Sequence, residues 1–371
     1  MKKKIWLSPP HMGGEEEGFV KEAFETNWIS PVGPHISAFE DELSSYLEGV
    51  GVAALSSGTA AIHLALLLLD VNQGDEVICS TFTFSASINP VRYVGAVPVF
   101  VDSERDTWGM DPELLEKTIK DRINAGRKPK AIIVVHLYGM PAQMNDIMRL
   151  ARVYEIPVIE DAAEALGSTY DGKPAGTLAD IGVLSFNGNK IITTSGGGAL
   201  LSRNTAHITR ARFLATQARD PAPHYEHSVI GYNYRLSNVC AGIGRGQLRV
   251  LDNRVKQRRE VFDYYIRKLA QEHFSFLAEP VGTFSNRWLS CMVSTGNVRP
   301  GLIREALEKE NIESRPLWKP MHLQPVFRGC KSFLNGVSEY AFTRGICLPS
   351  GSNLTTADLD RITDVIIRLF N

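Results

Sequence analysis

The chain has 371 residues, 44% hydrophobic and 22% charged, enough apolar material for a sizeable core and a natural length for a large domain plus a smaller one. Lys+Arg at 40 against Asp+Glu at 41 leaves a net charge of −1, no global field for a polyanion, which argues against a dedicated nucleic-acid binder. The lysines near Met1 are followed by too short an apolar stretch before Pro9-Pro10 for a signal peptide, and the apolar run Ala60 to Leu69 is too short for a membrane span, so a cytoplasmic protein is expected.

Short apolar or β-branched runs predict about seven strands: Val52–Leu55, Glu76–Cys79, Val97–Val101, Ala131–Val135, Pro157–Glu160, Ile181–Phe186 and Ala199–Leu201. Helical spacing between them, as in Ala60–Leu69, Pro112–Ile123 and Met144–Tyr154, is the pattern of helices covering a mainly parallel sheet. A proline-free stretch from Asn238 to about Ala270 reads as one long connecting helix. Beyond it, a strand at Trp288–Ser294, a helix at Leu302–Glu310, a strand near Ile312–Arg315 and a terminal helix at Ala357–Phe370 suggest a small α+β domain. The expected organisation is a large α/β domain over residues 1–240, then the connecting helix and small domain over 241–371. Cys79, Cys240, Cys291, Cys330 and Cys347 are odd in number and scattered, which suits reduced thiols better than a disulfide framework or a zinc site.

Chemistry concentrates at three expected strand ends. Ser185-Phe186-Asn187-Gly188-Asn189-Lys190 sets a lysine in a small-residue loop, where desolvation or nearby cations favour the neutral amine that forms an imine with an aldehyde cofactor. Taken alone, Lys190 reads as one more solvated surface lysine, so its assignment rests on its context. Ile159-Glu160-Asp161-Ala162-Ala163-Glu164 ends an apolar strand in carboxylates at the edge where α/β sheets bind ligands. Asp161 there suits a protonated pyridine nitrogen, or a helix N-cap with Glu164 at its N3 position. Ser56-Ser57-Gly58-Thr59 opens an apolar helix whose free N–H groups suit a phosphate, or simply carry an N-cap; Ser185 is placed to add a hydroxyl. Gly242-Ile243-Gly244-Arg245-Gly246 lacks the preceding strand of a dinucleotide loop, and His224/His227 lacks a full zinc ligand set, so no metal is expected.

Taken in order, Ser57-Gly58-Thr59-Ala60-Ala61, Ile159 to Ala163, Ser185 to Lys190 and Gly231-Tyr232-Asn233-Tyr234-Arg235 resemble the DegT/StrS family of sugar aminotransferases, and the likeness runs through Arg315-Pro316-Leu317-Trp318 and Cys347 to Gly351. The resemblance implies a fold-type I α/β architecture, with a large αβα domain built on a mainly parallel seven-stranded sheet and a small α+β C-terminal domain. It implies pyridoxal 5'-phosphate as cofactor, cycling through pyridoxamine 5'-phosphate. On this likeness Lys190 carries the cofactor, Asp161 pairs with its ring nitrogen, Gly58, Thr59 and Ser185 hold its phosphate, Phe84 stacks on its ring and Glu164 lies beside it. Asn233 matches a residue that reaches the cofactor phosphate of a neighbouring subunit, which implies a homodimer with shared sites.

Leu7 to Gly14, Asn187 to Gly198 and Gln217-Ala218-Arg219 are similar to the branch of that family serving bacillosamine synthesis. That branch transfers an amino group from L-glutamate to C4 of UDP-linked 4-keto-6-deoxy-N-acetylglucosamine. On this likeness the sugar faces Trp28, Ile29, Glu164, Asn189, His322, Tyr225 and Arg235; a diphosphate also calls for cations near the cleft, and Arg219 and Arg235 are the expected suppliers because guanidinium pairs well with phosphate oxygens. The alternatives are transfer at another carbon or on another nucleotide sugar, a related dehydratase, in which a histidine replaces the lysine, and a non-catalytic cofactor-binding regulator.

Overall fold

The computed structural model describes residues 3–269, 273–296 and 298–369. Seven strands build the main sheet: β1 (Gly51–Leu55), β2 (Glu76–Ser80), β3 (Val97–Val101), β4 (Ala131–Val135), β5 (Val158–Asp161), β6 (Ile181–Ser185) and β7 (Gly198–Ser202). Their order is β1-β7-β6-β5-β4-β2-β3, and all neighbours are parallel except β7, which runs antiparallel to both β1 and β6. Each expected strand is present within a residue or two, because these runs are buried on both faces and carry no competing helical period. An eighth strand was not expected: Ser332–Phe333 pairs in parallel with β3 and covers an edge whose backbone groups would otherwise be open.

Helices α1 (Glu16–Glu25), α2 (Pro34–Tyr46) and α3 (Gly58–Leu68) precede β2; α4 (Asn89–Tyr93), α5 (Pro112–Asn124) and α6 (Met144–Val153) alternate with the later parallel strands; α7 (Thr205–Ala215) follows β7. Apolar clusters line both faces of the sheet, one around Leu64, Val77, Phe100 and Ile159, another around Ile78, Leu115, Ile132 and Ile147. This is the layered α/β architecture expected.

The single long connecting helix is a correction. It is two helices, α8 (Asn238–Leu248) and α9 (Leu251–Leu269), and Ala270, its expected end, lies outside the described residues. The Val250 N–H turns back to the Gln247 carbonyl at 3.2 Å, a 3₁₀-type bond that closes the first helix, and Arg254 N–H to Val250 O starts the next. The break lets α8 lie on α1 and α2 while α9 packs in a separate apolar cluster with Ile303, Ile346 and Ile362.

Past α9, four strands, Phe274–Phe276, Ser290–Ser294, Gly345–Leu348 and Arg315–Pro316, form an antiparallel sheet in that order. Helices α10 (Pro300–Lys309), α11 (Val337–Arg344) and α12 (Thr356–Ile367) flank it. The expected end of the last helix, Phe370, lies outside the described residues. Thr355 and Asp358 form a reciprocal capping box that fixes where α12 begins. A further apolar cluster, with Phe82, Tyr138, Trp288 and Leu317, joins the two sheets. All five cysteines are free thiols. Among the described residues no helix is long and apolar enough to cross a membrane.

Candidate active site

Three strand ends and one helix start converge on a cleft of about 800 Å³ at the carboxyl edge of the main sheet, the position at which open α/β sheets take ligands. Because β7 is antiparallel, it begins at that same edge, with Gly198 registered between Leu55 and Ser185. A Cβ on Gly198 would stand 2.4 Å from the Gly58 nitrogen, so only glycine lets the β1–α3 turn settle against β7. Ser57 caps α3: its hydroxyl accepts the Ala60 N–H at 3.0 Å and its carbonyl accepts that of Ala61. Capping takes the free Ala60 N–H, the Ala61 N–H makes the first bond within the helix, and those of Gly58 and Thr59 are left for the cleft, so the cap and the anion site coexist. Ser185 lines the same corner.

Asp161 ends β5 and is 4% exposed. No helix follows it, so the N-cap reading gives way to a turn in which its Oδ1 accepts the Ala163 N–H at 3.1 Å. Its Oδ2 accepts the Ser87 hydroxyl at 2.6 Å, and Ser87 in turn meets the Thr83 hydroxyl at 2.7 Å. Neither Ser87 nor Thr83 was anticipated. The hydroxyl-rich run Thr81 to Ser87 just after β2 was the available signal.

Glu164 is turned inward, 5% exposed. Its Oε2 accepts the Tyr138 N–H at 2.7 Å, and its Oε1 lies 3.3 Å from Lys190 Nζ. Burial pushes its carboxyl up to about 7, against the opposing pull of the Lys190 charge and the Tyr138 N–H, while Asp161 nearby adds to the rise. Lys190 has a side chain only 11% exposed, and its Nζ sits 4.3 Å from the centroid of the Trp288 ring. The surface reading of this lysine is thereby excluded: a carboxylate and an aromatic face hold its ammonium group.

Trp288 is fixed in turn, its indole N–H donating to Asn189 O at 2.7 Å and its carbonyl accepting from the buried Arg258 at 2.5 Å. Asn189 O also accepts from Ser8. Across the opening stand Phe84 and Trp318, ring centroids 5.3 Å apart. The sequence reading missed Trp288, Trp318 and Tyr138, because each reaches the site through tertiary packing. The cations lining the cleft among the described residues are Lys190, Arg315 and Lys319.

Other expected site residues lie elsewhere in the chain. Arg235 is spent on structure: its guanidinium pairs with Glu40 and donates to Ala54 O. His322 is likewise tied, Nδ1 to Thr81 at 2.7 Å and Nε2 to Glu339 at 3.1 Å. Arg219 stacks on Tyr225, itself 79% exposed, on a surface loop. Asn233 is exposed, and Trp28 and Ile29 are 44% and 47% exposed; none of these lines the cleft. The discarded Gly242-Ile243-Gly244 run lies in α8, where a Cβ at Gly244 would meet Phe39 and Thr194 at 2.9 Å; it is a helix-packing stripe.

Comparison with known proteins gives a consistent picture. The DegT/DnrJ/EryC1/StrS aminotransferase family matches residues 10–367. EpsN of Bacillus subtilis (strain 168), whose name assigns it provisionally to the pyridoxal phosphate-dependent aminotransferases, is 51% identical over 100% of this chain and 97% of its own. GDP-perosamine synthase of Escherichia coli O157:H7 is 38% identical over 100% of this chain and 99% of its own. Among solved structures, a DegT DnrJ EryC1 StrS aminotransferase from Brucella abortus superposes with a TM-score of 0.90 at 30% identity, covering 96% of this chain and 95% of that one.

Proposed function

This chain belongs to the DegT/DnrJ/EryC1/StrS aminotransferase family and is a pyridoxal-phosphate-dependent sugar aminotransferase of the fold-type I class, and from that premise we propose its substrates and the work of each residue. The acceptor is the C4 ketone of a UDP-linked 4-keto-6-deoxy-N-acetylhexosamine, the donor is L-glutamate, and the product is UDP-4-amino-4,6-dideoxy-N-acetylglucosamine. The carrying observation is the convergence in one cleft of a lysine amine, a buried strand-end aspartate and a helix start with two free N–H groups. That set fits pyridoxal phosphate.

The N–H groups of Gly58 and Thr59 with the Ser185 hydroxyl hold the phosphate. Asp161, steadied by Ser87, would pair with the ring nitrogen and keep it protonated, and Phe84 would cover the ring. When bound, the cofactor supplies an aldehyde that condenses with amines and a ring that accepts an electron pair. Lys190 Nζ would anchor it and, as a free amine, would take and return the proton at the reacting carbon. Glu164 and Asn189 border the sugar, and the enclosing Trp288 and Trp318 exclude water.

The UDP reading is supported by the likeness of Asn187 to Gly198 to the bacillosamine branch. A second reading, a GDP-linked keto sugar, is favoured by the 38% identity to a GDP-perosamine synthase. Incubation with L-glutamate and a panel of UDP- and GDP-linked 4-keto sugars separates them. The expected result is 2-oxoglutarate plus a UDP sugar with nitrogen at C4 by NMR. Turnover confined to GDP sugars sinks the UDP assignment, and loss of a sugar hydroxyl without nitrogen transfer sinks both.

The working unit is a homodimer with shared sites. Asn233 lies on the surface outside its own cleft, and the apolar Trp28, Ile29 and Ile230 are exposed, Ile230 at 83%, as befits a face that meets a second copy.

A further inference from the structure

We propose that Arg315 and Lys319 form one anion subsite that serves both half-reactions, taking the side-chain carboxylate of the amino donor first and the diphosphate of the keto sugar afterwards. The inference rests on the proposed reading of this cleft, with a dicarboxylic amino donor and a nucleotide-diphosphate sugar of either base.

The distribution of charge in the cleft leads to it. Among the described residues the cations lining the cleft are Lys190, Arg315 and Lys319, and Lys190 is reserved for the cofactor. Arg219 and Arg235, the cations expected from the sequence, lie outside the cleft of their own chain, and Arg235 is paired with Glu40. Arg315 and Lys319 lie on one short segment that is held at several points. The strand Arg315–Pro316 pairs with Gly345–Leu348, placing Arg315 opposite Cys347. Beyond it the Trp318 N–H donates to the Tyr138 hydroxyl at 2.9 Å, and the Met321 N–H to Thr81 O at 2.7 Å. The segment is thereby fixed to the loops after β4 and β2 that frame the cleft.

Glu313 aims the guanidinium. Its Oε1 accepts from Arg315 Nε at 3.1 Å and from Nη2 at 2.8 Å, while its Oε2 takes the Leu7 N–H at 3.1 Å. Arg315 Nη1 is left without a partner among the described residues, as is the Lys319 amine, and the Arg315 side chain is 67% exposed. Two donors with positive charge therefore face the cleft unspent, and both suit carboxylate and phosphate oxygens.

The chemistry of the two substrates explains why one pair suffices. In glutamate the side-chain carboxylate stands at the far end of a short chain from Cα, the reacting carbon. In the sugar the nearer phosphate is set off from C4 by the width of the ring and the glycosidic oxygen. Ordinary bond lengths put each anion about 4–6 Å from its reacting carbon. Donor and acceptor occupy the cleft in turn, so the same two cations meet both.

Arg315→Gln and Lys319→Met test this with each anion read separately. Conversion of the pyridoxal to the pyridoxamine form by L-glutamate, followed by cofactor absorbance, gives the half-saturating donor concentration. Titration calorimetry of the pyridoxamine form with UDP or GDP, whichever matches the sugar the wild type accepts, gives the diphosphate affinity without turnover. Each variant is expected to weaken both by about tenfold or more, with the limiting rate of the half-reaction unchanged, the mark of an interaction made equally in ground and transition states. In the wild type the same nucleotide should compete with glutamate. A shift for neither anion or for one only, or a fall in limiting rate with both affinities intact, overturns the proposal and leaves the aminotransferase reading standing. A wild type that glutamate does not convert overturns the donor assignment and this proposal with it. Lys319 has no side-chain partner to lose, so Lys319→Met decides if Arg315→Gln fails to fold.

Discussion

At Lys190 the amine meets a carboxylate on one side and the face of Trp288 on the other, an enclosure that local sequence does not encode. Lys190→Ala is expected to lower turnover by at least about 10²–10⁴-fold, the usual weight of a positioned base, and to release the cofactor on gel filtration, read from its absorbance. Ser87→Ala removes the 2.6 Å bond to Asp161; a hydrogen bond to a charged group contributes about 1.5–3 kcal/mol, so cofactor affinity should fall while the circular dichroism spectrum stays unchanged. Glu164 carries a pH signature of its own. Its carboxyl rises from 4.5 to about 7 on folding, so the native state holds its proton more firmly than the unfolded chain. That stabilisation is complete below about 4.5 and is lost as pH rises through about 7, a change of about 3 kcal/mol in the apo protein. Urea midpoints across this window should show the decline in wild type and not in Glu164→Gln. Of the residues around the lysine, Asp161 was legible because it ends an apolar strand, whereas Ser87 contacts it from 74 positions away.

Elements were easier to read than their partners. The seven main strands are short buried runs flanked by turn residues, a signal contained within five residues each. The join between α8 and α9 was not legible, because no proline or glycine marks Val250 and the break follows from where α8 and α9 each find a surface to pack on. The glycines of α8 show why spacing misleads. Gly244→Ala adds helix propensity but forces a methyl to 2.9 Å from Phe39 and from Thr194, on the loop that carries Lys190, and overpacking of this kind costs about 1–3 kcal/mol. Gly301→Ala in α10 meets nothing within 4 Å and should stabilise by about 0.4–1 kcal/mol. Opposite shifts in the urea midpoints of the two variants are the expected outcome.

For the whole molecule, the proposed shared sites make a distinct prediction. Asn233→Ala and Lys190→Ala subunits, each inactive alone, should recover turnover when unfolded and refolded together, since a mixed dimer contains one site with both wild-type residues. Recovery absent from a mixture shown to contain mixed dimers would place each site within one subunit. The sequence by itself determined the α/β class, the order of the main strands along the chain, and the lysine, aspartate and phosphate-type turn at their ends, because periodicity, capping and turn chemistry act over a few residues. Only the tertiary structure decided which polar groups face the cleft and which are consumed elsewhere. Arg235 is taken by Glu40 across 195 positions, His322 by Thr81 across 241, and Glu164 is buried against Lys190. A long-range partner changes a side chain's charge, orientation and solvation at once, and chain-local pattern contains none of that information.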